Sequence, residues 1–168
     1  MSEEGNTPEA AASAAVKGVT EEQVRALVLR GTSGAGHVIR RLFQQRTRLW
    51  QGTVPGDLTG PQFTVLGILY LHGNMDQGTL GRYSGLDKST AAPVLERLRR
   101  RGLIAITRAP ADARRKLLEL TADGRETVIS AAPHAADVEE QLLAVLPSAE
   151  REEFFRLAAL ILGPETAD

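Results

Sequence analysis

The apolar pattern of this chain changes period at Gly102 and changes back at Thr121. Before Gly102, apolar residues recur at three- and four-residue spacing, as on one face of a helix. After it, Leu103-Ile104-Ala105-Ile106-Thr107-Arg108 is short, β-branched and bounded by a turn, so it reads as a strand. The segment from Ala109 to Arg114 reads as a polar hairpin loop, and Arg115 to Thr121 as the return strand. A single hairpin set among helices makes the chain mainly α with a small β-hairpin.

Start and stop signals divide the helical part. Thr20-Glu21-Glu22-Gln23 is a capping box opening a helix to about Arg30, and the run Gly31 to Gly36 breaks it. Val38, Leu42, Leu49 with Ile39, Phe43, Trp50 stripe a helix from about Ala35 to Gln51. Thr59-Gly60-Pro61-Gln62 is a second box with an early proline. Its helix is expected to bury Phe63, Leu66, Ile68, Leu69 and Leu71 and to stop at Gly73. Asp76 caps a short helix closed by Ser84-Gly85, and Asp87 caps another, with Val94, Leu95 and Leu98 inward, ended by Gly102. Thr121 begins a long stretch carrying Val128, Ile129, Val138, Leu142 and Val145, with a kink expected at Pro133. Ser148 is expected to cap a last helix with Phe154, Phe155, Leu157, Leu160 and Ile161, stopped by Gly163-Pro164.

Four regions follow: a disordered tail at 1–19, N-terminal helices at 20–57, a winged helix-turn-helix at 58–121, and C-terminal helices at 122–163. In such a fold the second helix of the pair enters the DNA major groove, and its N-terminal side chains reach base edges. Leu86-Asp87-Lys88-Ser89-Thr90 supplies small polar groups and a cation there. Basic residues on the hairpin would meet the neighbouring minor groove or backbone.

Composition agrees. Of 168 residues, 42% are hydrophobic and 24% charged, as in a folded globular protein, and 4% aromatic content makes the core aliphatic. No run of 18 apolar residues exists, so no membrane span is expected. Met1-Ser2-Glu3-Glu4 is acidic with no apolar stretch behind it, so a secretory signal is not expected and a cytoplasmic location is. The absence of cysteine excludes disulfides, thiolate metal sites, cysteine nucleophiles and thiol redox sensing. His37, His72 and His134 lack the spacing of a zinc site and are expected to be surface or core residues, with no metal or cofactor. The net charge of −1 hides a dipole. Arg82 to Lys116 holds ten basic residues against Asp87, Glu96 and Asp112, a balance of +7, leaving −8 elsewhere. That is the footprint of a polyanion-binding module, although a solvated Arg-rich helix face has the same composition.

The run Leu58-Thr59, Gln62, Val65-Leu66, Gln77, Leu80-Gly81 and Gly85 to Thr90 resembles the MarR-type transcriptional regulators. Leu95-Glu96-Arg97-Leu98, Gly102-Leu103-Ile104 and the segment Asp112 to Gly124, with its D-x-R…L-x-L-T-x-x-G pattern, extend the resemblance from about Ala35 to Leu162. It implies a two-fold dimer on a pseudo-palindromic operator, most often as a repressor, with a helical dimerisation domain formed by both chain ends. Lys88, Ser89 and Thr90 would contact bases or phosphates, Arg97 the backbone, and Arg114 the minor groove, oriented by Asp112 and accompanied by Arg115. Simple capping is the alternative for Ser89 and Thr90, and a hairpin ion pair for Asp112 and Arg114. Pro93 inside the recognition helix resembles the peroxide-sensing branch, whose cysteine this chain lacks.

The segment from Gly36 to Trp50 resembles the first long helix of aromatic-carboxylate-responsive, protocatechuate-type members. This implies a small anionic aromatic ligand whose carboxylate meets Arg40, with His37, Arg46 and Trp50 as further candidates. A guanidinium fork binds a carboxylate through two charge-assisted bonds. Arg40 could instead pair with a dimer-partner acid, and Trp50 could belong to a dimer core. No Ser/His/Asp order, phosphate loop or carboxylate pair suggests an enzyme. The competing class is a ligand- or protein-binding module of the same fold without DNA binding.

Overall fold

The computed structural model describes residues 19–109 and 112–163, apart from the side chains at 109 and 112–115. The expected tail therefore lies outside the described residues except for Val19. The chain forms two compact units, one ending at Gln44 and the other beginning at Gln45.

In the first unit, helix α1 (Glu21–Ser33) opens on the expected capping box: Gln23 N–H donates to Thr20 Oγ1, and Thr20 N–H to Gln23 Oε1. It outlasts the expected stop at Arg30, because Thr32 and Ser33 hydroxyls bond back to the Val28 and Leu29 carbonyls. The glycine-rich break contracts to Gly34, where a Cβ would lie 2.4 Å from the Arg30 carbonyl oxygen. Helix α2 (Ala35–Thr53) follows, and its residues from Gln45 on belong to the second unit.

The second unit holds α3 (Gly60–His72), α4 (Gln77–Ser84), α5 (Lys88–Arg100), β1 (Ile104–Ala109), β2 (Asp112–Leu120), α6 (Ala122–Leu143) and α7 (Ser148–Leu162). Thr59, Asp76, Asp87 and Thr121 cap their helices as expected, each accepting from the backbone N–H three residues on. Gly73, Gly85 and Gly102 follow helix ends with positive φ, the conformation glycine adopts without steric cost. A core of Trp50, Val65, Leu66, Leu69, Leu80, Leu95, Leu98, Leu103, Ile104, Leu118 and Val138 joins α3 to the helix pair, the hairpin and α6.

Several expectations need correcting. Leu71 is 75% exposed, because it lies about 200° around α3 from the buried Leu69. The hairpin strands are longer than expected and include Ala109 and the run Asp112–Arg114. No apolar alternation marks residues 109–114 as a strand, so their polar composition mimicked a loop. Arg108 pairs with Lys116 but Ala109 with Asp112, so the ladder is irregular opposite residues 113–115. The sheet also gains a bridge absent from the sequence reading: Met75 and Leu118 exchange backbone hydrogen bonds of 3.3 and 2.8 Å.

Helix α6 runs through Pro133 without interruption, since Val128, Ala131, Ala135 and Val138 bury one face on both sides of it. Ile129 is exposed and Val145 lies beyond the helix end. Ser148 is the first residue of α7, not its cap. Pro147 holds that position without a side-chain bond, and Arg151 ties the start of α7 down instead, donating to the Leu146 carbonyl and to Glu140.

Candidate nucleic-acid interface

Helix α5 is anchored through Ala91, Leu95 and Leu98, all buried, and it exposes Lys88, Ser89, Thr90, Pro93 and Arg97 on the other side. Asp87 organises its first turn. One carboxylate oxygen accepts the Thr90 N–H at 2.8 Å and the Ser89 hydroxyl, and the other accepts the Thr90 hydroxyl at 3.0 Å. The Ser89 hydrogen bond, then those from Thr90, lower the Asp87 pKa from 3.8 to about 2. Ser89 and Thr90 thus take part in capping, the alternative reading of their role, while both residues remain exposed.

The cations differ in availability. Arg99 is held by Glu96 through two bonds of 2.8 and 2.9 Å, and Arg101 by Asp57 at 2.9 Å. Among the described residues no carboxylate pairs with Lys88 or Arg97, and Arg100 has only a longer-range attraction to Glu96. Arg97 stands nine residues from Lys88, about 13 Å along the axis. On the hairpin, Arg108 and Lys116 are opposite each other and exposed. Asp112, Arg114 and Arg115 are on β2, and their side chains, with the expected ion pair, lie outside the described residues.

The base of the hairpin explains the T-x-x-G part of the sequence pattern. Thr121 Oγ1 donates to the Gly102 carbonyl at 2.7 Å and accepts the Gly124 N–H at 3.0 Å, while Thr121 N–H donates to Leu103 O. Gly124 packs directly on that same Leu103 carbonyl. This junction fixes where the hairpin leaves the helices.

Of the ligand candidates, the structure brings Arg46 and Trp50 together. The guanidinium lies 5.4 Å from the Trp50 ring centroid and its Nε donates to Glu139 Oε1 at 2.8 Å. The indole is only 4% exposed: its N–H donates to the Leu58 carbonyl and its ring packs 5.4 Å from Phe63. Trp50 therefore belongs to the core of its own unit and forms a floor beneath Arg46. Gly60 leaves room for the guanidinium, since a Cβ there would be 3.0 Å from Arg46 Nη1. His37 and Arg40 belong to the first unit, the former half-buried and the latter exposed, three residues apart on one helix face. Among the described residues no group of three or more His, Cys, Asp or Glu could hold a metal, and no helix is long and apolar enough to cross a membrane.

Comparison with known proteins decides the family. The MarR family model matches residues 56–115. The transcriptional regulator HosA of Escherichia coli is 37% identical over 129 residues, covering 77% of this chain and 95% of HosA. The chain belongs to the MarR family. The solved structure of the PcaV transcriptional regulator from Streptomyces coelicolor, in complex with its natural ligand, superposes with a TM-score of 0.72 at 38% identity. That match covers 80% of this chain and 94% of PcaV. BpsR of Bordetella bronchiseptica, whose DNA binding is regulated by 6-hydroxynicotinic acid, gives a TM-score of 0.70 at 33% identity, over 76% of this chain and 98% of BpsR.

As a MarR-family member the protein is a DNA-binding transcriptional regulator with a winged-helix fold, and not an enzyme. The resemblance read from the sequence is correct. Sequence reasoning missed Glu139 and Gly60 beside Arg46. Glu139 stands 93 positions from Arg46, a distance no local motif spans.

Proposed function

We propose that this protein is a dimeric repressor that binds a pseudo-palindromic operator and is released by a small anionic aromatic ligand. The observation carrying the DNA half is the exposed face of α5, where Lys88 and Arg97 have no carboxylate partner among the described residues while the opposite face is locked in the core. Lys88, Ser89 and Thr90 meet base edges and phosphates at the helix start, and Arg97 meets the backbone. Asp112, Arg114 and Arg115 act from the hairpin in the adjacent minor groove. Such a regulator works in the cytoplasm, on the chromosome.

The ligand half rests on Arg46 seated over Trp50, on His37 and Arg40 sharing a helix face, and on the acids and ligands with which the relatives were studied. Exposed apolar side chains support the dimer: Leu27, Leu29 and Ile39 in the first unit, Phe155, Leu160 and Ile161 on α7. Clusters of this kind on a protein surface mark association sites.

The test is fluorescence anisotropy with DNA from upstream of the protein's own gene, against a scrambled duplex, at two salt concentrations. Binding that exceeds the control and weakens with salt is expected, because phosphate contacts release counterions. Benzoate or 6-hydroxynicotinate should then release the DNA, and Arg40→Ala should abolish that release. If no duplex binds, including members of a random library, the fold has lost its DNA function and the binding-module reading replaces this one.

A further inference from the structure

Serine and threonine hydroxyls are ambiguous readers of DNA, since each can donate one proton or accept through its lone pairs. In α5 that ambiguity is removed. Ser89 Oγ donates to one oxygen of Asp87 and Thr90 Oγ1 donates to the other, so a single carboxylate holds both hydroxyl protons. An ionised carboxylate offers only acceptors, and turning either hydroxyl outward would forfeit a charge-assisted bond.

Resting on the DNA-binding reading above, we infer that Asp87 is a specificity-setting residue that makes Ser89 and Thr90 present acceptors alone to the major groove. They therefore select base edges carrying an amino group.

In the major groove the amino donors are adenine N6 and cytosine N4, whereas guanine N7 and O6, adenine N7 and thymine O4 are acceptors. Against an acceptor, a hydroxyl whose proton is already committed leaves two lone-pair-bearing atoms facing each other. The arrangement is fixed before DNA arrives, and Asp87 remains ionised at any pH where duplex DNA is bound. Asp87 itself acts through its neighbours and needs no contact with DNA. Lys88, which carries donors only, supplies the complementary preference from the same turn.

The experiment begins with selection of a half-site from a random duplex library by the wild-type protein. Ser89→Ala and Thr90→Val then locate the positions those hydroxyls read. At these positions dA is replaced by its analogue lacking the 6-amino group and dC by its analogue lacking the 4-amino group. A loss of about two- to tenfold is expected, the worth of one hydrogen bond. Replacing dG or dA by the 7-deaza analogue, which removes an acceptor, should leave affinity unchanged.

Asp87→Asn provides the second arm. Asparagine caps a helix as well as aspartate, but its amide presents one acceptor and one donor. One of the two hydroxyls must then turn and offer its proton to DNA. Selection with this variant should admit dG or dT at one position while the circular dichroism spectrum is retained. The inference is overturned if the 7-deaza analogues weaken binding and the amino-less ones do not, or if Asp87→Asn selects the wild-type sequence. It is equally overturned if Ser89→Ala and Thr90→Val leave selection unchanged, an outcome in which DNA binding itself still stands. Failure of the DNA-binding reading is distinct: no sequence is enriched by any variant.

Discussion

A methyl group at position 124 has no space, because its carbon would lie 2.1 Å from the Leu103 carbonyl oxygen and 2.9 Å from Leu120 Cδ1. The carbonyl belongs to backbone already bonded by Thr121 N–H, so it cannot swing aside cheaply. Gly124→Ala should therefore destabilise the protein by about 1–3 kcal/mol, the usual cost of overpacking, as read by chemical denaturation. A variant as stable as the parent would mean the junction is plastic. Asp87 carries the second prediction at this scale. Its folded pKa of about 2 is below the ordinary carboxylate value near 3.9. Its contribution to stability is thus full above about pH 4 and disappears as pH falls through 2. The Asp87 carboxyl carbon should titrate in NMR with a midpoint near 2, and the amide of Thr90 should lose protection over the same range. A midpoint at 4 would show that the capping bonds do not persist in solution.

At the scale of the element, α5 carries a flaw on its exposed face. Pro93 has no N–H for the Ser89 carbonyl, and its ring crowds that carbonyl without being buried in compensation. Pro93→Ala should stabilise the protein by about 2 kcal/mol, the proline penalty less the entropy that proline removes from the unfolded chain. An unchanged melting temperature would refute that balance. Between elements, the Arg46–Glu139 pair ties α2 to α6, with both side chains partly exposed. Such a pair contributes at most about 1 kcal/mol, so Glu139→Gln should leave stability nearly intact. An aromatic carboxylate that takes Arg46 side-on, through Nε, must displace Glu139 from that nitrogen, so the same variant should bind benzoate more tightly. Quenching of Trp50, the only tryptophan, reports it directly. Equal affinity in both proteins would place the ligand elsewhere. Elements with local signals were legible in the sequence: Thr59, Asp76, Asp87 and Thr121 each cap through a residue three positions on, and Gly73, Gly85 and Gly102 end helices through φ alone. What was not legible is held by distant partners. The Met75–Leu118 bridge has no periodicity, the start of α7 is fastened by Arg151 rather than Ser148, and Trp50 is core because Leu58 and Phe63 fold over it.

For the whole molecule, charge and apolar surface are segregated in a way that one chain alone does not use. The basic stretch from Arg82 to Lys116 lies in the helix pair and hairpin, while exposed Phe155, Leu160 and Ile161 lie on the last helix. A lone chain presents one α5 and one hairpin, enough for half an operator. A two-fold pair presents two, which suit half-sites one helical turn apart, about 34 Å. Joining two half-site contacts makes the second intramolecular and multiplies affinity about a hundredfold or more. It also doubles the phosphates neutralised, and so doubles the slope of log affinity against log salt. Phe155→Glu combined with Leu160→Glu places two like charges at exposed positions of α7 without touching the core, since neither residue is buried in the chain itself. The variant should sediment as a monomer with an unaltered circular dichroism spectrum. Its operator affinity should drop by about a hundredfold, with a salt slope about half that of the parent. A monomer that kept the parent's affinity and slope would mean that one copy of α5 and its hairpin suffices, and the two-fold operator would have to be abandoned. A variant that stayed dimeric would move the interface off α7 and leave the exposed side chains of the first unit to form it.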